Sequence, residues 1–277
     1  MNQKGTSLLE LLVAVAVTIL AVSVSSGFLS ATRRTVTQQE LLTEASLNLR
    51  AVLDALIRDV RLAGACLPVT GDFIALNGSN SGDQDEIWVR TGVVRNDMSC
   101  IRTATASALA PSATSIQVES AEGFTVGTRA YIRGPAGSGE YFTITGVDLT
   151  NNRLTKATTF AVDYPVGSGI YAIDERHYYL QDWTTPWGIT PELMLQVGDQ
   201  TPQSFAVGVE KLNFRYQLRR NCPPCDVTDL PSTEDEWRLV EQVIVEARVR
   251  SDRQDPSGQF LRRRATVNIK PRNLLPP

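Results

Sequence analysis

Apolar residues crowd the first thirty positions of this chain and then thin into stripes. Leu11 to Leu29 carries no charge at all. At about 1.5 Å of rise per residue the run reaches about 28 Å, close to the ~30 Å hydrocarbon core of a bilayer. Beyond it, Leu42, Ala45, Leu49, Val52, Leu56, Val60 and Ala63 step by three or four, and Leu53 and Ile57 widen the stripe. That is helical spacing. Arg50, Asp54, Arg58, Asp59 and Arg61 are expected on the opposite, solvent-facing side. Gly64 is a stop signal, and Pro68 follows it. The pattern predicts one helix of about 55 residues, apolar all round in its first half and amphipathic in its second.

After Gly64 the period changes to two. Asp85–Arg90 reads as a strand. Residues 107–160 are rich in Ser, Thr and Gly, with short strands at Ser115–Glu119, Thr128–Arg133, Tyr141–Val147 and Arg153–Lys156 and a tight turn at Asn151-Asn152. Longer strands follow at Glu175–Gln181, Val209–Leu218, Leu239–Arg250 and Arg263–Ile269, the last three alternating apolar and polar as half-buried antiparallel strands do. One long helix laid on such a sheet is an α+β architecture. The expected division is a helix over 6–64 with residues 6–30 in a membrane, a head opening at 65–106, an inserted β-rich subdomain at 107–160, and a C-terminal antiparallel sheet over 161–277.

Composition narrows the chemistry. The 277 residues hold 27 Lys and Arg against 30 Asp and Glu, a net charge of −3, which argues against a general nucleic-acid binder. His177 is the one histidine, so a multi-histidine metal site is excluded. No phosphate-binding glycine loop or nucleophile elbow stands out. Two acidic groups, Asp83, Asp85 and Glu86, and Asp226, Asp229, Glu234, Asp235 and Glu236, offer oxygen ligands for calcium but lack EF-hand spacing, so solvated loops are the preferred reading and no cofactor is expected. Thr233 and Glu236 form a capping-box pattern. The run Arg262-Arg263-Arg264 reads as an edge strand or subunit contact before it reads as a DNA contact. Four cysteines allow three connectivities. Cys222-Pro223-Pro224-Cys225 has thioredoxin-like spacing, yet the acidic loop that follows disfavours a thiolate. A structural disulfide closing that loop is the preferred reading, which leaves Cys66 with Cys100; the chain alone leaves the connectivity open.

Glu10 decides how the first segment is read. It interrupts Leu8-Leu9-Glu10-Leu11-Leu12, where a carboxylate costs up to about 2.5–3.5 kcal/mol at mid-bilayer. A secretory signal cut near Ser23–Ala31, or an uncut signal anchor, gives the glutamate no purpose. Lys4-Gly5 followed by Thr6-Ser7-Leu8-Leu9-Glu10 resembles the class III leader of type IV prepilins and type II secretion pseudopilins. The resemblance implies a leader of residues 1–5, cleavage after Gly5 by a prepilin peptidase, N-methylation of Thr6, and Glu10 as the fifth mature residue. Thr6 departs from the family, which usually has phenylalanine there. The amine created at Thr6 can pair with Glu10 of a neighbouring helix. Because desolvation opposes the attraction, such a pair sets axial register more than it adds net stability. Arg33 and Arg34 would face outward, against the positive-inside rule, but a large C-terminal domain translocates largely regardless of nearby charge.

Further along, Arg58-Asp59-Val60-Arg61-Leu62-Ala63-Gly64, Gly208-Val209-Glu210-Lys211-Leu212-Asn213-Phe214-Arg215-Tyr216 and Arg272-Asn273 resemble PilW-type minor pilins. The related J-type minor pseudopilins of type II secretion share much of this pattern and are the alternative within the class. The insertion is not covered by these motifs. The resemblance implies a pilin-like subunit held in the inner membrane with a periplasmic head and carried into an extracellular pilus. Its implied partners are other minor pilins, the major pilin, the peptidase, the inner-membrane assembly platform and a tip adhesin. The alternative from another class is a signal-anchored periplasmic enzyme or binding protein.

Overall fold

The structure, a computed structural model, describes residues 8–68, 72–134, 137–185, 188–220 and 224–274; the side chains of residues 8–10 and 185 lie outside that description. Helix α1 runs unbroken over Leu8–Leu62, 55 residues. Its halves differ as the hydrophobic pattern requires. Leu11, Val24, Phe28 and Val36 are exposed, whereas Ala45, Leu49, Val52, Leu53, Leu56, Val60 and Ala63 are buried. Asp59 corrects the expectation of a wholly solvent-facing polar side, being only 3% exposed. It lies three and four residues after the buried Leu56 and Ala55, so it stands at the border of the buried stripe.

Among the described residues fourteen strands and one short helix follow. Strands β1 (Leu76–Ser79), β2 (Glu86–Gly92) and β3 (Arg102–Ala104) come first. Next are β4 (Ser115–Gln117), β5 (Arg129–Arg133), β6 (Gly139–Asp148) and β7 (Arg153–Lys156). Then come β8 (Gly169–Thr185), β9 (Gly188–Val197) and β10 (Gln203–Val207). The chain closes with β11 (Val209–Leu218), β12 (Val227–Thr228), helix α2 (Glu234–Arg238), β13 (Val240–Gln254) and β14 (Phe260–Ile269).

The buried stripe of α1 packs on an antiparallel sheet in the order β12-β11-β13-β14. Leu212, Phe214, Tyr216 and Leu218 of β11 and Val243, Val245, Ala247 and Val249 of β13 are buried in one core with the helix. Register places Phe214 opposite Val245 and Val245 opposite Val267. Alternate residues carry interlocked charges: Lys211 reaches Asp83 at 2.9 Å and Glu246 at 3.3 Å, Arg264 reaches Glu246 at 3.0 Å, and Arg262 reaches Glu210 at 2.8 Å. Two arginines of the basic run are therefore neutralised within the sheet. The predicted cap of α2 forms, with the Thr233 hydroxyl accepting from the Glu236 N–H at 3.2 Å. The Glu236 carboxylate reaches back one residue further, to the Ser232 N–H at 2.7 Å.

A second, ten-stranded sheet is organised around β8. One edge of β8 pairs with β3 and then β2, the other with β5 and then β9. Its first residues, Ile170 and Ala172, belong to a separate core with Ile116, Phe142, Ile144 and Leu154; its later residues, Ile173, Tyr178 and Leu180, belong to the core under α1. The separate core draws on residues from Ile101 to Ala172, reaching past both ends of the 107–160 stretch. Inside it the Lys156 amine, 5% exposed, meets Glu140 at 3.2 Å and lies 3.8 Å over the Phe160 ring, which offsets the cost of burying its charge. Asn152 takes φ 48° in the β6–β7 turn, as its place in the sequence anticipates.

The helix ends at Gly64, whose φ of +80° few other residues tolerate and whose missing Cβ would stand 2.9 Å from the Asn273 carbonyl oxygen. The Gly64 N–H donates to Arg90 of β2 at 2.9 Å, and the Arg272 N–H donates to the Arg61 carbonyl at 3.1 Å. The tail thereby closes over the end of α1. Immediately after it, a Cys66–Cys100 disulfide spans 34 residues with Cα atoms 5.5 Å apart. Gly92 makes room for it, since a Cβ there would meet the Cβ of Cys66 at 2.5 Å.

Candidate functional site

The N-terminal half of α1 is the feature most in need of a partner. Its 11–36 stretch presents large apolar side chains in every direction, with Val24 and Phe28 each 72% exposed. A helix apolar all round belongs in lipid or inside a bundle. Several of its hydroxyls are already satisfied. The hydroxyl of Thr18 donates to the Ala14 carbonyl at 2.7 Å, Ser23 to Ile19 at 2.8 Å, Ser26 to Val22 at 2.7 Å and Thr32 to Phe28 at 2.9 Å. Each hydroxyl folds back onto its own helix, so none demands water. The segment meets the length and hydropathy required to cross a membrane.

The head grips the rest of the helix at three levels. Lowest, the Gln38 amide donates to Asp255 at 3.1 Å in the turn between β13 and β14. The Ser257 hydroxyl and the Gln259 N–H also donate to that carboxyl and pull it down to about 2. Higher, the Asn48 amide reaches the Val207 carbonyl at 3.5 Å. Highest, Asp59 receives the Arg176 guanidinium at 3.0 and 3.1 Å, the Tyr178 hydroxyl at 2.5 Å and Arg58 at 3.1 Å. Burial, and then the Asp59 carboxylate, push the Tyr178 phenol up. Burial alone would lower Arg176, but Asp59 and Asp174 outweigh it and hold the guanidinium above its ordinary value.

The Asp59 network floors a cleft of about 1140 Å³ between the end of α1, β2, the 125–128 turn and the β9 end. Glu175 is buried there between Arg90 and Arg129, the latter at 2.9 Å. The guanidinium groups of Arg90 and Arg129 also face the Tyr141 ring at 5.0 and 5.6 Å. These charges pair with one another, so the cleft braces the helix, β8 and the inserted strands against each other. Arg176 and Tyr178 sit two residues apart on β8, which is the sequence signal that could have pointed to a buried partner on α1.

The residues expected to carry function are distributed as follows. Gly5 and Thr6 lie outside the described residues, as does Cys222. Glu10 lies within the backbone of α1. Cys66 and Cys100 are joined; Cys225 is disulfide-bonded, and the Cys222 expected to be its partner is beyond the description. Among the described residues no group of three or more His, Cys, Asp or Glu is gathered as for a metal ion. Several of the carboxylates considered for calcium are engaged by the protein. Asp85 accepts the N–H groups of Ser81 and Phe214, each at 2.9 Å, and burial outweighs these donors and raises its pKa. Glu86 meets His177 at 2.9 Å, and Glu236 meets Arg220 at 2.8 Å. Comparison with protein-family models finds no match along the chain, and comparison with curated proteins finds none either.

Proposed function

We propose that this chain is a minor pilin of the PilW kind, a subunit that helps to prime assembly of a type IV pilus. The observation that carries the reading is the single helix of 55 residues, bare and apolar in its first half and docked on an antiparallel sheet in its second. Together with the Lys4-Gly5 leader and Glu10, that form suits a subunit stored in the inner membrane and withdrawn into a helical bundle. Cleavage after Gly5 frees the Thr6 amine. Glu10 meets the amine of an adjoining subunit and fixes the axial step between them. The exposed apolar half of α1 exchanges lipid for the helices of other minor pilins and the major pilin. The head, braced through Asp59, keeps a fixed aspect toward those partners and supports a tip adhesin.

The test is the intact mass and N-terminal residue of the protein isolated from membranes. A start at N-methylated Thr6 is the expected result. A start at Met1 or beyond Ser23 overturns the reading in favour of a plain anchor or a cut signal.

A further inference from the structure

The four-stranded sheet has one guarded edge and one open edge. On the β11 side, β12 pairs with Tyr216 and Gln217, and the 83–85 loop closes the next stretch. There the Leu212 N–H donates to the Asp83 carbonyl and the Asp85 N–H to the Leu212 carbonyl, each at 2.9 Å. On the opposite side, β14 pairs with β13 alone among the described residues. Every second residue of its Arg262–Asn268 stretch therefore turns an N–H and a C=O outward with no further strand to receive them.

Beside this open edge a groove of about 300 Å³ runs along the flank of α1. Leu49, Leu53 and Ile57 of the helix and Val267 of the strand give it an apolar lining. The three arginines of the basic run divide between the two faces of β14. Arg262 and Arg264 are held on the outer face by Glu210 and Glu246, at 2.8 and 3.0 Å. Arg263, between them, points the opposite way, toward the groove. It is exposed and makes no ion pair among the described residues. Arg50 and Asp54, which also line the groove, meet each other at 3.7 Å, so their charges offset and Arg263 is the surplus.

We infer that β14 receives an added strand from another protein, an extended acidic segment that hydrogen-bonds along Arg262–Asn268, lays alternate apolar side chains in the groove beside α1 and sets a carboxylate against Arg263. An extended backbone is the shape that satisfies a row of edge groups, and the groove selects its alternate side chains. A carboxylate matches the guanidinium with two parallel hydrogen bonds. A second copy pairing edge to edge supplies no such group, because Phe260–Ile269 contains three arginines and no acidic residue. The inference does not depend on how α1 meets the membrane.

The experiment uses the full chain in detergent solution and two synthetic peptides matching the 10 residues of β14 in length, one alternating valine with glutamate and one alternating valine with lysine. Fluorescence anisotropy of the labelled peptide reads binding, and amide exchange reads its place. The expected result is that the glutamate peptide binds at least about tenfold more tightly than the lysine peptide, since like charges facing across a seam are costly. It should also slow exchange at the β14 amides that face away from β13. Arg263→Glu, a change at an exposed side chain, should reverse the preference and leave exchange within β13 unaltered. Equal binding of the two peptides, no binding by about 1 mM, or protection away from β14 overturns the inference. Protection of the same amides without peptide, growing with protein concentration, assigns the edge to a second copy and overturns it as well.

Discussion

Replacing Asp59 by alanine strands the buried Tyr178 hydroxyl and takes from the part-buried Arg176 guanidinium one of its two carboxylates, leaving Asp174, at the junction between α1 and β8. Removing one side of such a pair typically costs 3–5 kcal/mol, and partial exposure of Arg176 puts the expected loss nearer ~3 kcal/mol. A lower denaturant midpoint with an unchanged slope would report it. Asp59→Asn keeps an acceptor and should cost less. A second residue makes the grip sensitive to acid. The Asp255 carboxyl is held at about 2 by the Ser257 hydroxyl, the Gln259 N–H and the Gln38 amide. Since its folded pKa lies below the ordinary carboxylate value of about 3.9, its contribution is complete above that value and is lost as pH falls through about 2. Amide exchange at Ser257 and Gln259 should therefore rise relative to the β13 interior as pH is lowered from about 4 to about 2. Neither role could be read from spacing alone. Helical periodicity puts Asp59 on the border of the stripe, and only the sheet opposite decides which side it takes.

At the scale of elements, the Cys66–Cys100 link joins the exit of α1 to the start of β3 and closes a loop of 34 residues. Chain-entropy reasoning assigns such a loop about 3–4 kcal/mol. The Cys66→Ala, Cys100→Ala double variant should unfold at correspondingly lower urea, read through the buried Trp237. Legibility at this scale follows how each strand is buried. Val209–Leu218 is a strand with the bounds its alternation indicates, because one face meets the core and the other carries charge. Helix α1 was equally legible, since two different apolar patterns meet in one uninterrupted element. Strand β8 was seen only over Glu175–Gln181, less than half of Gly169–Thr185. Its buried positions change parity, from Ile170 and Ala172 to Ile173 and Glu175 and then to Tyr178 and Leu180. A strand that serves two cores loses its period of two, which is the signal that sequence reading relies on. The bracing cleft went unread for the same reason, because its charges come from α1, β2, β5 and β8 and converge only once the sheet is assembled.

For the whole molecule, two substitutions test the proposed pathway at different steps. Gly5→Ala should block maturation, so the chain retains its leader and stays out of filaments; normal processing of that variant would remove the peptidase step. Glu10→Val should be cut normally yet enter filaments poorly, because the neighbour's amine then lacks its counter-charge. Immunoblots of membrane and sheared filament fractions separate the two outcomes. Strand β8 also sets how the head would answer a pull. Its opening residues are laddered to β3 and β5 beside the outer core, and its later residues to β2 and β9 beside the helix. A tug applied to the outer lobe travels lengthwise down this strand and loads the flanking ladders in shear, with many hydrogen bonds strained together instead of opening one after another. The lobe then yields as a stiff prolongation of the head, and force applied at the far end reaches the helix through Tyr178 and Asp59 with little slack.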